Sequence, residues 1–294
     1  MRMKTVLVTG GTVRLGKAVA ERLRAGGWRV ITSSHRADAG ADIVADLAEP
    51  MGAAKLYAAA LQMLGGQPPD ALVNNAALFV GDEAAVKAVN FEAAKKLTMM
   101  MAGRESGVGA VVNILDSVIL GSARVSVGSA SVGVGSARVS IGSDRVGVES
   151  LESRRSLESE GAVESKGLEE FSDSLGSNRP YPDPNRPYLD SNQGYSDPNR
   201  PYLDPKRPYL DSKCELFAYT RASAATFAAT LRVNGVAPGP VLAPTEVHEK
   251  AGETLLDRRP TPEDVAAAVA YLLGAESVTG TVIPVDAGQH LLSE

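Results

Sequence analysis

Short β-rich runs alternate with longer Ala-rich runs from the start of the chain to residue 117. Lys4–Val8, Trp28–Thr32, Asp42–Val44, Ala71–Asn74 and Ala110–Leu115 read as strands, too short for helices. Between them, Gly16–Ala25, Met51–Leu64 and Ala84–Met101 read as helices. A β-α-β-α-β order predicts a parallel sheet.

The pattern changes at residue 118. Gly121-Ser-Ala-Arg-Val-Ser126 recurs as Gly135-Ser-Ala-Arg-Val-Ser140, a charged Glu/Ser stretch covers 149–170, and five tandem heptads fill 178–212. The heptads carry Pro and no apolar seam, so their period is not that of a coiled coil. Gly, Ser, Pro and charge bury too little apolar area to offset ordering entropy. Residues 118–208 are therefore expected to be a low-complexity insertion, disordered or loosely extended. The alternating valines between 125 and 148 are the part able to pair as strands.

Order resumes at Tyr209. Leu210–Leu231 reads as a long helix, Arg232–Ala237 as a strand, Pro262–Leu273 as a helix after Thr261, and Gly280–Val285 as a last strand. The fold expected is α/β, a doubly wound parallel sheet in one domain formed by 1–117 and 209–294.

Composition narrows the setting. A net charge of -5 over 294 residues argues against a general nucleic-acid binder. Cys214 is the one cysteine, so no intrachain disulfide forms and a reducing compartment is expected. Only Met1 to Lys4 precede the apolar run Thr5-Val-Leu-Val-Thr9, leaving no readable signal peptide, and no apolar run reaches membrane-spanning length. These features together predict a cytoplasmic location. His35, His248 and His290 are scattered and predict no metal site.

Three local patterns carry chemistry. Thr9-Gly-Gly-Thr-Val-Arg-Leu-Gly16 joins the first strand to the first helix, where glycines admit a pyrophosphate to a helix N-terminus. Many αβ domains turn with Gly, but the strand-turn-helix context favours nucleotide binding. The second strand ends Ser33-Ser34-His35-Arg36, hydroxyls and a guanidinium where an NAD site usually offers a carboxylate. With Arg14 in the turn, this predicts NADP and its 2′-phosphate rather than NAD. Tyr209 and Lys213 stand four apart at the start of a helix, which puts phenol and ammonium on one face. Tyr202 and Lys206 share that spacing, but Pro208 excludes them from the same continuous helix.

These motifs, in this order, resemble the short-chain dehydrogenase/reductases. The glycine turn is similar to the family's TGxxxxxG, and Asp46-Leu47 to the pair that contacts adenine. Asn74-Asn-Ala76-Ala77 is similar to its NNAG, Tyr209/Lys213 to YxxxK, Arg232-Val-Asn-Gly-Val-Ala-Pro238-Gly239 to the strand that ends over the nicotinamide, and Val285-Asp286-Ala-Gly288 to the closing VDGG. Asn90 falls where the family has a structural or proton-relay Asn. Lys213 also precedes Asn234 by 21 residues, the helix-plus-loop length the family requires.

Departures point to the pteridine reductase and dihydrofolate or dihydromonapterin reductase branch. Arg14 replaces the middle glycine, Asp116 stands three after Asn113 where most members have Ser, and Phe79 completes an NNAxxF whose Phe stacks on the pterin. Thr279-Gly280 and the Asp286-to-Leu291 ending also look like that branch. The resemblance implies cofactor contacts from Gly10, Arg14, Leu15 and Gly16, from His35, Arg36, Asp46 and Leu47, and from Asn74, Ala76, Lys213, Pro238, Gly239 and Val241. It implies catalysis by Tyr209 as proton donor, Lys213, Asp116 and Asn90, with Phe79, Asp116 and Tyr209 facing the substrate, and a homotetramer. A positive charge beside Tyr209 is expected to lower the phenol pKa. The activity implied is NADPH-dependent reduction of a C=N bond in a pterin or dihydrofolate. Two alternatives stay open: a carbonyl or 3-oxoacyl reductase using Ser117, and an inactive NADP-binding protein with an interaction arm.

Overall fold

In strand β1 (Thr5–Val8), Val6 and Val8 face one side and Leu7 the other, and all are buried. That two-sided burial is the mark of a parallel sheet covered by helices on both faces. The structure, a computed structural model, describes residues 2–105, 107–123, 130–134, 137–141, 146–150, 207–241 and 254–292.

After β1 come α1 (Arg14–Ala25), β2 (Arg29–Ser34), β3 (Ile43–Val44), α2 (Gly52–Met63) and β4 (Ala71–Asn74). The next helical run is α3 (Glu83–Lys87), a π-helical turn Ala88–Glu92, and α4 (Ala93–Ala102), followed by β5 (Gly109–Ile114) and α5 (Val118–Ala123). Strands β6 (Ala130–Val134), β7 (Ala137–Ile141) and β8 (Val146–Ser150) precede α6 (Arg207–Thr226), β9 (Leu231–Pro238), α7 (Pro262–Gly274) and β10 (Val282–Val285).

The chain divides into two units, Met1–Gly121 with Leu203–Glu294, and Ser122–Tyr202. In the first, seven parallel strands take the order β10-β9-β5-β4-β1-β2-β3. This is the doubly wound sheet the strand-helix alternation predicts. Val19, Ala20 and Leu23 of α1 and Val265, Val269 and Leu272 of α7 cover one face. Leu56 and Ala60 of α2, Leu97 and Met101 of α4, and Ala224 of α6 cover the other. The strand order reverses between β1 and β4, and such a switch point opens a crevice at the carboxyl ends of the strands.

Two elements differ from the sequence expectation. The run expected as one helix from 84 to 101 contains the π-helical turn that carries Asn90. The helix expected to reach Leu231 stops at Thr226, because Leu231 already pairs with Gly109 as the first residue of β9.

In the second unit, β6, β7 and β8 pair as an antiparallel sheet, with Val132 opposite Val139 and Val139 opposite Val148. The expected start of the insertion at 118 is corrected, since Val118–Ala123 form α5 and Ile119 is buried. The remaining residues of the insertion expected at 118–208, including 151–170 of the charged stretch, lie outside the described residues. So do the heptads, except Arg207–Ser212, which open α6.

Candidate active site

The crevice between β1 and β4 is tied together by two side chains. Thr9 Oγ1 accepts the backbone N–H groups of Asn75 (2.9 Å) and Ala76 (3.0 Å). Asn75 Nδ2 donates back to the carbonyls of Thr9 (2.9 Å) and Gly10 (3.0 Å). Gly10 adopts a left-handed φ of 62°, and a Cβ on Gly16 would collide with the Gly10 carbonyl oxygen. Glycine at these positions lets the turn double back closely on β4. The N-cap of α1 is Val13, whose side chain has no polar atom to cap the first-turn N–H groups.

The cleft that opens here has a volume of about 1120 Å³. One end is lined by Ser34, His35 and Arg36 at the close of β2, with Asp46 and Leu47 after β3. Arg36 is forked onto Asp38, Nε to Oδ1 at 3.0 Å and Nη2 to Oδ2 at 2.6 Å. This pairing raises the pKa of the guanidinium and lowers that of the carboxyl. Asp46 Oδ1 accepts the N–H of Ala48 at 2.9 Å, which fixes the wall beneath that end. Open helix-start N–H groups, a glycine turn without Cβ bulk, Arg14 in that turn and Arg36 after β2 fit an elongated anionic dinucleotide.

At the other end, α6 presents Tyr209 and Lys213 side by side. Lys213 is 2% exposed, and its Nζ donates to the carbonyl of Ile114 at 2.8 Å while sitting 5.6 Å from the centre of the Tyr209 ring. Burial lowers its pKa to about 8, with Asp116 opposing that shift. The Tyr209 hydroxyl donates to Asp116 Oδ2 at 3.0 Å, and Asp116 Oδ1 accepts the N–H of Val118 at 3.0 Å. The Phe79 ring lies 4.7 Å from the Tyr209 ring, tilted by 57°, and is 44% exposed. The expectation that Lys213 lowers the phenol pKa is overturned. Burial first, then the charge and hydrogen bond of Asp116, push Tyr209 well above its ordinary value.

Of the residues singled out from sequence, Gly10, Arg14, Leu15, Gly16, Ala76, Pro238, Gly239 and Val241 line this same cleft with those named above. Asn74 and Asn90 do not. Asn74 points under the sheet, where its Nδ2 donates to Asn113 Oδ1 at 2.8 Å, and its neighbour Asn75 takes the cleft position. The two-residue period of a strand explains the swap, since consecutive side chains face opposite ways. Asn90 is 1% exposed and holds the loop that carries Phe79. It accepts the Leu78 N–H at 2.7 Å and donates to the Leu78 carbonyl at 2.9 Å and to Ser212 Oγ at 3.1 Å. Ser117, the alternative to Asp116, is fully buried and donates to Gln289 Oε1 at 3.1 Å.

Sequence reading missed Asp38, Asn75, Arg259 and Gln289, which also line the cleft. Asp38 and Asn75 stood within two residues of recognised positions. Arg259 had no local signal. Among the described residues, no group of three His, Cys, Asp or Glu side chains is placed to hold a metal, and no helix is long and apolar enough to cross a membrane.

The chain resembles known proteins both in sequence and in fold. Residues 199–290 match a family model described as enoyl-(acyl carrier protein) reductase. The chain is 36% identical over 86 residues to the short-chain dehydrogenase/reductase homolog YusR of Bacillus subtilis (strain 168), covering 27% of this chain and 67% of that protein. It is 42% identical over 85 residues to granaticin polyketide synthase putative ketoacyl reductase 2 of Streptomyces violaceoruber, covering 26% of this chain and 34% of that protein. Its fold matches FolM alternative dihydrofolate reductase 1 from Brucella canis, solved with NADP, at a TM-score of 0.62 and 24% identity. That match covers 99% of this chain and 96% of that one. The fold, the cleft at its switch point and the match to YusR lead to one conclusion: the chain belongs to the short-chain dehydrogenase/reductase family.

Proposed function

We propose that this protein is an NADPH-dependent reductase acting on a C=N bond of a pterin or dihydrofolate. The observation that carries this reading is the Tyr209–Asp116 hydrogen bond beside the exposed face of Phe79. A carboxyl at this position offers an acceptor to the amino and ring N–H groups of a pterin, and Phe79 offers its ring a stacking surface. A ketone oxygen calls instead for a hydroxyl donor, and Ser117 is fully buried with its hydroxyl engaged by Gln289.

NADPH, when bound, supplies a hydride to the ring carbon. Its fit is supported by the glycine turn, by Arg14 and Arg36, and by structural relatives solved with NADP or NADPH. Tyr209 keeps its proton at neutral pH, because burial and Asp116 both favour the phenol, and gives it to the ring nitrogen next to the reduced carbon. Lys213, fixed by Ile114, orients the nicotinamide ribose. Asp116 holds Tyr209 in place and positions the substrate. The same reading implies a cytoplasmic homotetramer.

A second reading, a 3-oxoacyl reductase, is favoured by the resemblance to the granaticin ketoacyl reductase. NADPH oxidation by the purified full chain separates the two. Turnover with dihydrobiopterin or dihydrofolate, and little with an acetoacetyl thioester, is the expected result. The reverse preference would overturn it.

A further inference from the structure

Arg259 is a cation in the cleft without an assigned task. Its side chain lines the cleft, and its Nε is buried with no hydrogen-bond partner. A buried N–H on a permanent cation is costly unless an acceptor arrives. Its sequence neighbour is placed differently: Arg258 reaches Asp264 at 3.4 Å, the residue that completes the capping box of α7 with Thr261.

The backbone that presents Arg259 is anchored. Leu255 and Leu256 donate their N–H groups to the Ala287 carbonyl at 2.9 and 3.0 Å, and Pro260 is buried. Topology says which edge of the sheet Arg259 occupies. In a parallel sheet with helical crossovers, every covering helix starts at the carboxyl edge of the strands. Helices α1 and α7 pack on each other over the same face. Leu15, beside the glycine turn, and Val241 pack against the cluster that contains Val265 and Ala266 of the first turn of α7. Arg259, three residues before Pro262, therefore shares the carboxyl edge of the sheet with the glycine turn.

We propose that Arg259 binds a phosphate oxygen of the cofactor's diphosphate, sharing that group with the first-turn N–H groups of α1. This rests on the NADP(H) reading above. A guanidinium is suited to the task because its N–H groups lie in one plane and form charge-assisted bonds to phosphate. A chain of net charge -5 also needs local cations to hold so anionic a ligand.

The test uses the full chain, Arg259→Gln and Arg259→Lys, with circular dichroism to check folding. Dissociation constants are measured for NADPH, for 2′-phospho-ADP-ribose, which keeps the diphosphate, and for adenosine 2′-monophosphate, which lacks it. Arg259→Gln is expected to weaken the first two about tenfold or more and leave the third unchanged, with Arg259→Lys intermediate. Unchanged NADPH affinity, or equal loss for all three ligands, would overturn the proposal. So would a rise confined to the KM of dihydrofolate, which would assign Arg259 to a substrate carboxylate. A parent chain that binds no NADPH would instead refute the cofactor reading on which the proposal stands.

Discussion

The Tyr209 hydroxyl donates to Asp116 Oδ2 at 3.0 Å, joining the first turn of α6 to the residue two past the end of β5. Because Asp116 adds to burial in keeping the phenol protonated, the two residues act as one proton-holding unit. Tyr209→Phe should lower kcat/KM by roughly 10²–10⁴, the usual worth of a positioned acid. Asp116→Asn should reduce it less and bring the Tyr209 pKa down toward its ordinary value. In the double variant the losses should fall well short of additive, since each residue acts through the other. Additive losses in steady-state kinetics would show that they work separately.

Lys213 sets the alkaline limit. Its pKa is lowered from 10.5 to about 8, whereas Tyr209 is pushed well above 10. Loss of NADPH affinity with rising pH should therefore have its midpoint near pH 8 and vanish in Lys213→Met. The effect on stability has the opposite sign. Between about pH 8 and 10.5 the unfolded chain still binds the proton that the folded chain has released, so stability rises with pH across that window. Urea titrations of the parent and Lys213→Met should converge or diverge only within that interval.

On the proposed NADP(H) reading, Asp38 works against NADP selectivity. Its carboxylate occupies the Arg36 fork that a 2′-phosphate needs, and both side chains are well exposed, so the pair is weak and open to competition. Asp38→Asn should raise the ratio of kcat/KM for NADPH to that for NADH about three- to tenfold. An unchanged ratio would mean that Arg36 does not meet the 2′-phosphate.

Asn90 positions Phe79 through the backbone. It makes two hydrogen bonds to Leu78 and one to Ser212, coupling the loop after β4 to the helix that carries Tyr209. Asn90→Ala removes all three and leaves the Leu78 groups unmatched, a loss of about 3 kcal/mol at ~1 kcal/mol each. Substrate KM should rise more than the Kd of NADPH. Thermal denaturation with both ligand titrations checks the claim.

The fold was legible because parallel strands buried on both faces leave short apolar runs, and β1, β4 and β5 have no competing helical period. The cleft was legible where backbone geometry restricts residue type, as at Gly10 and Gly16. It was less legible where a side chain's direction mattered. Asn74 and Asn75 are the same residue one position apart, and only the strand's facing decides which reaches the cleft. The direction of the Tyr209 shift was hidden because its magnitude depends on burial, which a motif does not encode. Arg259 was unreadable because its place follows from how α7 packs on α1.

Gly16→Ala tests the most rigid part of the site. A methyl group there would strike the Gly10 carbonyl oxygen and lie 2.5 Å from Asn75 Nδ2, which itself ties Thr9 and Gly10 to β4. The first obstacle is backbone and the second is held by two hydrogen bonds, so the turn must move away from β4. The turn is the floor of the proposed diphosphate site, and a displaced floor no longer presents the first-turn N–H groups at the right spacing. NADPH affinity should fall at least tenfold, while Asp116, Tyr209 and Lys213 keep their arrangement on the far end of the cleft. Calorimetric titration with NADPH, beside a urea denaturation curve, separates the two effects. A variant that binds NADPH as the parent does would show that the close approach of Gly16 to Gly10 is not required for the site.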